Sequence, residues 1–284
     1  MLEYLKLFYY LLNPKTIFIR RFSKGMGDNL LLSMLLPKLR KKFPNKPIVV
    51  ETEWPDLYLN NPYPTWVTAK HFTTTKRHIR PKYKIDSATE IPLYNQMMKY
   101  LGIDGKGAPE LYLTDEEIIN VKNKYPFNYI VTCPEGKQSF TANRKEWGFE
   151  NFQTLSKLLG DVKVVQIGAK KDRLLENAID ARGLNIRESA AVIKNSMFFI
   201  GLEGGLMHLA KAVGAKAVIL YGGFIKPEIS GYDGFINLYN NVHCSPCFNS
   251  NKPHSICETM ECFDGITPEY VYNTLVKEGL LNEN

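Results

Sequence analysis

Between Thr16 and Glu51 the spacing of hydrophobic positions changes twice. Thr16 to Arg20 is a short β-prone run. A loop at Phe22–Gly27 follows, and then Leu30, Leu31, Met34, Leu35 and Leu39 recur at helical spacing. Pro44 and Asn45 stop that helix, and Pro47 to Glu51 is apolar again. This strand–loop–helix–strand order predicts the opening of a parallel sheet. From Trp54 to Lys84 the chain is rich in Pro, Thr and aromatic residues and loses periodicity, before a helical pattern returns at Ile91 to Leu101. Thr114-Asp115-Glu116-Glu117 has the form of a capping box and predicts a further helix.

The alternation resumes near Asn128. Strands are expected at Tyr129–Cys133, Val162–Ile167, Met197–Ile200 and Ala217–Tyr221. Helices are expected at Asn151–Leu159, Leu174–Ala181, Ala190–Asn195 and Leu206–Val213. Thr267-Pro268-Glu269 opens a last helix, with proline at its first position. Two units of this kind make an α/β protein of two Rossmann-like, doubly wound domains, with the boundary falling near residues 108–127. Ligands of open parallel sheets settle at the carboxyl ends of the strands, so the cleft between the domains is the expected site.

Composition supports a protein with its own core: 284 residues, 44% hydrophobic and 23% charged. The net charge of +7 suits partners that carry phosphate. The basic residues are dispersed, and no zinc-finger, RNP-like or helix-turn-helix pattern accompanies them, so no nucleic-acid partner is expected. No window of about 18 continuous apolar residues predicts a membrane span. At the amino terminus, Leu2, Leu5, Phe8, Tyr9, Leu11 and Leu12 would cover much of a helix that Asn13-Pro14 ends. That helix would either pack on its own domain or dock at a membrane surface. It is followed by no small-residue cleavage site, so it does not read as a signal peptide.

Candidate chemistry gathers at three places. In Gly25-Met26-Gly27-Asp28 the small residues let backbone approach a ligand. Leu30 stands where a dinucleotide fingerprint needs its third glycine. Asp28 is either the cap of the following helix or a cleft carboxylate that takes a proton from a hydroxyl. In Glu203-Gly204-Gly205-Leu206-Met207-His208 a strand gives way to a glycine-started helix, whose free N–H groups favour a phosphate. Glu203 would accept from sugar or ribose hydroxyls or orient the loop. His208 is either a core histidine or a donor toward a diphosphate. Lys145, between Arg144 and the rigid Trp147, is either a surface lysine or a cation that offsets charge on a departing diphosphate.

These stretches together resemble glycosyltransferase family 9, the ADP-heptose lipopolysaccharide heptosyltransferases. The resemblance is carried by RRFSKGMGDNLLLSMLLPKLRKKFP, by Lys145-Glu146-Trp147, by Glu203-Gly204-Gly205-Leu206-Met207-His208-Leu209-Ala210, by Cys244-Ser245-Pro246-Cys247 and by Ile266-Thr267-Pro268-Glu269. It implies the GT-B fold, with an acceptor-binding domain over residues 1–125, short for the family, and a nucleotide-sugar-binding domain over 126–284 whose last helix packs back toward the first. It implies inverting transfer of a sugar, heptose first, from a nucleotide-diphosphate donor such as ADP-heptose. The acceptor would be a glycan, lipid-linked or protein hydroxyl, and no metal would be needed for transfer. Asp28 aligns with the base. Lys145 aligns with a catalytic and donor-site cation, and Gly25, Gly27, Glu203, Gly204, Gly205, Leu206 and His208 line the donor side. The usual motif has Asp where Glu203 stands and Ser or Thr where Gly204 stands. Two other readings follow from those departures: a transferase using another nucleotide sugar with a protein or polysaccharide acceptor, and a nucleotide-sugar-binding protein without turnover. The resemblance also implies a cytoplasmic protein, peripheral at the inner face of the inner membrane and touching anionic lipid. Cys244, Cys247, Cys257 and Cys262 fall within nineteen residues. Their spacing leaves open reduced thiols, disulfides, or a structural zinc or iron site that His243 and His254 could join.

Overall fold

The computed structural model describes all residues except 1, 21–22, 72–77, 86–90, 104, 106, 137–140, 249–254 and 283–284. Phe22, where the first loop is expected to begin, lies outside the described residues. Two parallel sheets form. The first contains β1 (Ile17–Arg20), β2 (Ile48–Glu51), β3 (Trp66–Thr68) and β4 (His78–Ile79), in the order β3-β2-β1-β4. The second contains β5 (Tyr129–Cys133), β6 (Lys163–Gln166), β7 (Ala178–Asp180), β8 (Phe199–Leu202), β9 (Ala217–Tyr221) and β10 (Ile236–Tyr239), in the order β10-β9-β8-β5-β6-β7. In both, the chain winds outward from the first strand to one edge and then returns to pair the fourth strand on the first strand's free side. That reversal leaves a crevice at the carboxyl ends of β1 and β4, and another at those of β5 and β8.

β1 and β2 are buried at every position, as a sheet covered on both faces requires. Ile17 and Ile19 face the main core with Leu30, Leu31 and Leu35. Phe18 and Val49 face the other way, against Leu7 and Tyr10 of the amino-terminal helix α1 (Leu2–Leu12). After β1 come α2 (Met26–Leu31), a 3-10 turn at Leu32–Leu35 and α3 (Leu36–Lys42), so the expected single helix is broken. Pro37 accounts for the break, because it donates no N–H to the preceding turn. α4 (Leu93–Tyr100) and α5 (Asp115–Lys124) follow, the latter with the capping box of Thr114 and Glu117 in place.

In the second half the helices are α6 (Phe149–Leu158), α7 (Ile186–Asn195), α8 (Gly205–Ala212), α9 (Pro227–Ser230) and α10 (Pro268–Lys277). Ile130, Val164, Ile200 and Val218 form a core on one sheet face with Phe152, Leu155, Val271 and Leu275, so α10 packs on α6 within its own half. The helix expected at Leu174–Ala181 does not form; turns and the edge strand β7 occupy that stretch. Side chains there take the backbone groups a helix would use: Gln166 accepts from Leu175 N at 2.8 Å and donates to Arg173 O at 2.5 Å. The expected strand Met197–Ile200 begins two residues later and runs to Leu202. No helix among the described residues is long and apolar enough to cross a membrane.

One core runs through both halves, with Leu30, Leu35 and Met97 from the first joining Met207, Ala210 and Val213 from the second. The connection is fixed by Arg187 at the start of α7. Its guanidinium grips Glu117 at 2.5 and 2.6 Å, and reaches Tyr112 O at 2.7 Å and Asp56 O at 3.0 Å. The hydrogen bonds from Arg187 hold the Glu117 carboxyl below its usual 4.5, with burial opposing. The pair's contribution is therefore complete above about pH 4.5 and is lost as the pH falls through the lower folded value. Replacing Arg187 with Met should cost about 1–3 kcal/mol at neutral pH. Denaturant titrations across pH 3–6 should also show a shallower acid loss than in the parent, because the largest cause of the lowered Glu117 carboxyl is then gone.

Candidate active site

Two first turns meet backbone to backbone where the halves face each other. A Cβ added to Gly27 in α2 would lie 3.0 Å from Gly205 Cα and 3.0 Å from His208 Cδ2; one added to Gly205 in α8 would lie 2.9 Å from Met26 Cε. Only residues without side chains permit this approach. It sets Asp28, one residue beyond Gly27, against the start of α8.

The loop that carries Asp28 is rigid for a local reason. Asn29 is fully buried; its Nδ2 donates to Ser23 O at 3.1 Å and Gly25 O at 2.7 Å, and its Oδ1 accepts from Thr52 at 2.8 Å. Tyr58 OH donates to Asn29 O. Asp28 itself accepts a hydrogen bond on Oδ1 from Tyr83, whose hydroxyl is pushed well up by burial and then by the Asp28 charge. Tyr83 therefore stays a phenol and a donor across the working range.

On the facing side, β8 delivers Glu203 and the pair Gly204-Gly205, and α8 starts with no side-chain cap. Its first N–H groups are the ones an anion would meet. Leu206 lies in that first turn. Glu203 is buried and ion-paired with Lys145, whose ammonium also sits 4.7 Å from the centre of the Phe224 ring. Neighbours hold Lys145 in place. Arg144 is buried, donating to Thr141 O at 3.1 Å and Cys247 O at 3.0 Å, and Trp147 donates to Ile266 O at 2.6 Å. His208, also buried, bonds through Nδ1 to the Tyr232 hydroxyl at 2.7 Å, and Tyr232 stacks on Tyr94 of the first half with ring centroids 6.2 Å apart. Burial pushes the His208 imidazole down from 6.5 to about 4; nearby Asp28 opposes the shift and Lys145 adds to it.

The structure thus brings Gly25, Gly27, Asp28, Lys145, Glu203, Gly204, Gly205, Leu206 and His208 to one crevice. Tyr83 and Tyr232 join them without any sequence signal, since each is a single tyrosine in a segment lacking motif or periodicity.

The cysteines require a correction. All five are free thiols, and among the described residues no group of three or more His, Cys, Asp or Glu side chains is placed to hold a metal, so the structural zinc or iron site that their spacing left open is not built. Cys244 is exposed. Cys247 and Cys262 flank Gly223, and burial raises both thiols. The Cys257 sulfur accepts Met260 N–H at 3.4 Å. His243 lies 3.7 Å from Glu261, and His254 is outside the described residues.

Two measurements probe this arrangement. Changing Gly27 to Ala should force the halves apart, lowering stability by about 1–3 kcal/mol in thermal or denaturant unfolding. Histidine ring NMR should find one imidazole titrating near pH 4, lost in His208→Gln. Because the unfolded histidine binds its proton near 6.5 and the folded one near 4, the parent should lose stability as pH falls across that window, and the variant should lose less.

Among solved structures, the chain is similar to the dodecameric, iron-containing glycosyltransferase TibC of enterotoxigenic E. coli at 17% identity and a TM-score of 0.73, covering 95% of this chain and 78% of TibC. It is similar to a glycosyl transferase family 9 protein of Veillonella parvula at 16% identity and a TM-score of 0.70, covering 96% and 99% of the two chains. It is also similar to E. coli ADP-heptose LPS heptosyltransferase II at 15% identity and a TM-score of 0.61, covering 93% and 100%. These likenesses show the GT-B fold of two Rossmann-like domains. No curated protein matches the sequence. The sequence profile of the family described as "Glycosyltransferase family 9 (heptosyltransferase)" matches residues 88–256. A match over more than half the chain, on a fold whose crevice gathers a carboxylate, a lysine and a glycine-started helix, makes this protein a glycosyltransferase of family 9.

Proposed function

We propose that the protein is an inverting transferase that moves heptose from ADP-heptose to a hydroxyl of a lipopolysaccharide-type glycan. The observation that carries this reading is the Gly27–Gly205 contact, which sets Asp28 against the uncapped start of α8. The family supports the sugar. So does TibC, similar at 18% identity and a TM-score of 0.72 and solved in complex with ADP-D-beta-D-heptose.

In this reading the donor diphosphate lies over the first turn of α8, where N–H groups and the helix dipole receive its charge. Lys145 neutralises the departing diphosphate, and Glu203 exchanges its ion pair for contacts with sugar or ribose hydroxyls. Tyr232 donates to His208 Nδ1, which leaves the proton on Nε2, so a neutral imidazole serves as a donor rather than a charge. Asp28 takes the proton from the acceptor hydroxyl as that oxygen attacks the anomeric carbon opposite the leaving diphosphate. Tyr83 holds one carboxylate oxygen and leaves the other to do this.

Asp28→Asn should lower kcat on the order of 10²–10⁴-fold, while ADP binding by calorimetry stays near the parent value. Lys145→Ala should weaken both. A panel of nucleotide sugars offered to the parent identifies the donor. Undiminished turnover by the Asp28 variant would remove the base from this scheme, and binding without turnover of any donor would favour a nucleotide-sugar-binding protein instead.

A further inference from the structure

α1 has two faces of opposite exposure but similar chemistry. Leu7 and Tyr10 are buried on the first sheet, Tyr10 stacking on Trp66 with centroids 5.7 Å apart. On the outward side Tyr4, Leu5, Phe8, Tyr9 and Leu12 are each 61–67% exposed. Their spacing makes one stripe along the helix. The remaining exposed large hydrophobic residues among those described are spread over the rest of the chain. A continuous apolar stripe of this kind marks a docking surface.

Charge decides what docks there. Residues 1–85 hold sixteen Lys and Arg against five Asp and Glu, a net +11, whereas the whole chain carries +7, so the remainder is acidic by four. A second copy meeting this face through a twofold axis would set like charge against like. An anionic bilayer is complementary. The composition of the stripe agrees: tyrosines and phenylalanine interleaved with leucine suit the headgroup boundary, and Lys6 lies within the helix, its ammonium 5.6 Å from the centre of the Trp66 ring. Lys70 is bound to the helix itself, 3.6 Å from the centre of the Tyr4 ring and 3.2 Å from Glu3.

We infer that the outward face of α1 is a membrane-docking surface for anionic lipid, laid in the headgroup plane. Lys70 follows β3 by two residues, so the Tyr4 end of the stripe lies at the carboxyl end of the sheet, the same end as the Asp28 loop. Docking there holds the first half beside the bilayer with its strand ends near the headgroups. This inference stands apart from the assignment of donor and acceptor, because vesicle binding is read without turnover.

The full chain should sediment with vesicles of phosphatidylglycerol and phosphatidylcholine, and much less with phosphatidylcholine alone. Added salt should weaken the binding. The double change Leu5→Ser and Phe8→Ser should weaken it on the order of 10²-fold, and Tyr4→Ser with Tyr9→Ser on the order of tenfold, each with an unchanged thermal midpoint. Equal sedimentation of parent and variants would overturn the inference, as would absence of binding by the parent. A concentration-dependent dimer that these changes dissolve would assign the face to a second copy. Unfolding of both variants would show the face to be covered already, and would equally overturn it.

Discussion

The contact between Gly27 and Gly205 sets the distance between the two sheets, and with it everything the crevice can hold. A Cβ on Gly27 would fall 3.0 Å from the opposing backbone, so the two helix starts approach too closely for a side chain at Gly27 to fit without a shift. Close-packed side chains behind them leave little room to adjust, since Leu30, Met207 and Ala210 are each fully buried in the shared core. Asp28 is therefore positioned by steric limits and not by a flexible loop. The Asn29 hydrogen bonds reinforce this by holding Ser23 O and Gly25 O from inside the protein.

Around that contact, burial assigns each ionisable group a role. His208 is kept neutral because its ring is out of water, with the Asp28 charge nearby too weak to reverse the effect. Tyr83 and Tyr232 remain phenols for the same reason. The charges that do enter the crevice come with partners or at its mouth: Lys145 with Glu203, and Asp28 with the Tyr83 hydroxyl. The uncapped N–H groups at the start of α8, with the Lys145 ammonium, suit a ligand that brings its own negative charge.

Much of this was legible along the chain because the signals are local. The Thr114 capping box, Pro268 in the last helix, the run Tyr129–Cys133 and the glycines before α8 each act within a few residues, and each forms as the spacing suggests. Where distant residues decide, the sequence was silent or misleading. Leu174–Ala181 has apolar residues at helical spacing, yet Gln166 occupies its backbone groups and β6 claims Ala178–Asp180 as an edge strand. The four clustered cysteines suggest a metal by proximity in sequence, but among the described residues no three ligating side chains are placed to hold one. Tyr83 reaches Asp28 across 55 residues, a pairing no periodicity encodes.

Residues 1–125 carry a net charge of +8 and residues 126–284 a net charge of −1, so the positive charge of the molecule sits in its first half. An anionic surface or solute far from the protein is drawn to the first half and little affected by the nearly neutral second. A nucleotide donor thus gains no long-range guidance toward the half that contains α8, and its capture there depends on the short reach of backbone N–H groups and a single lysine. The same asymmetry turns the protein before contact, so that its basic side leads.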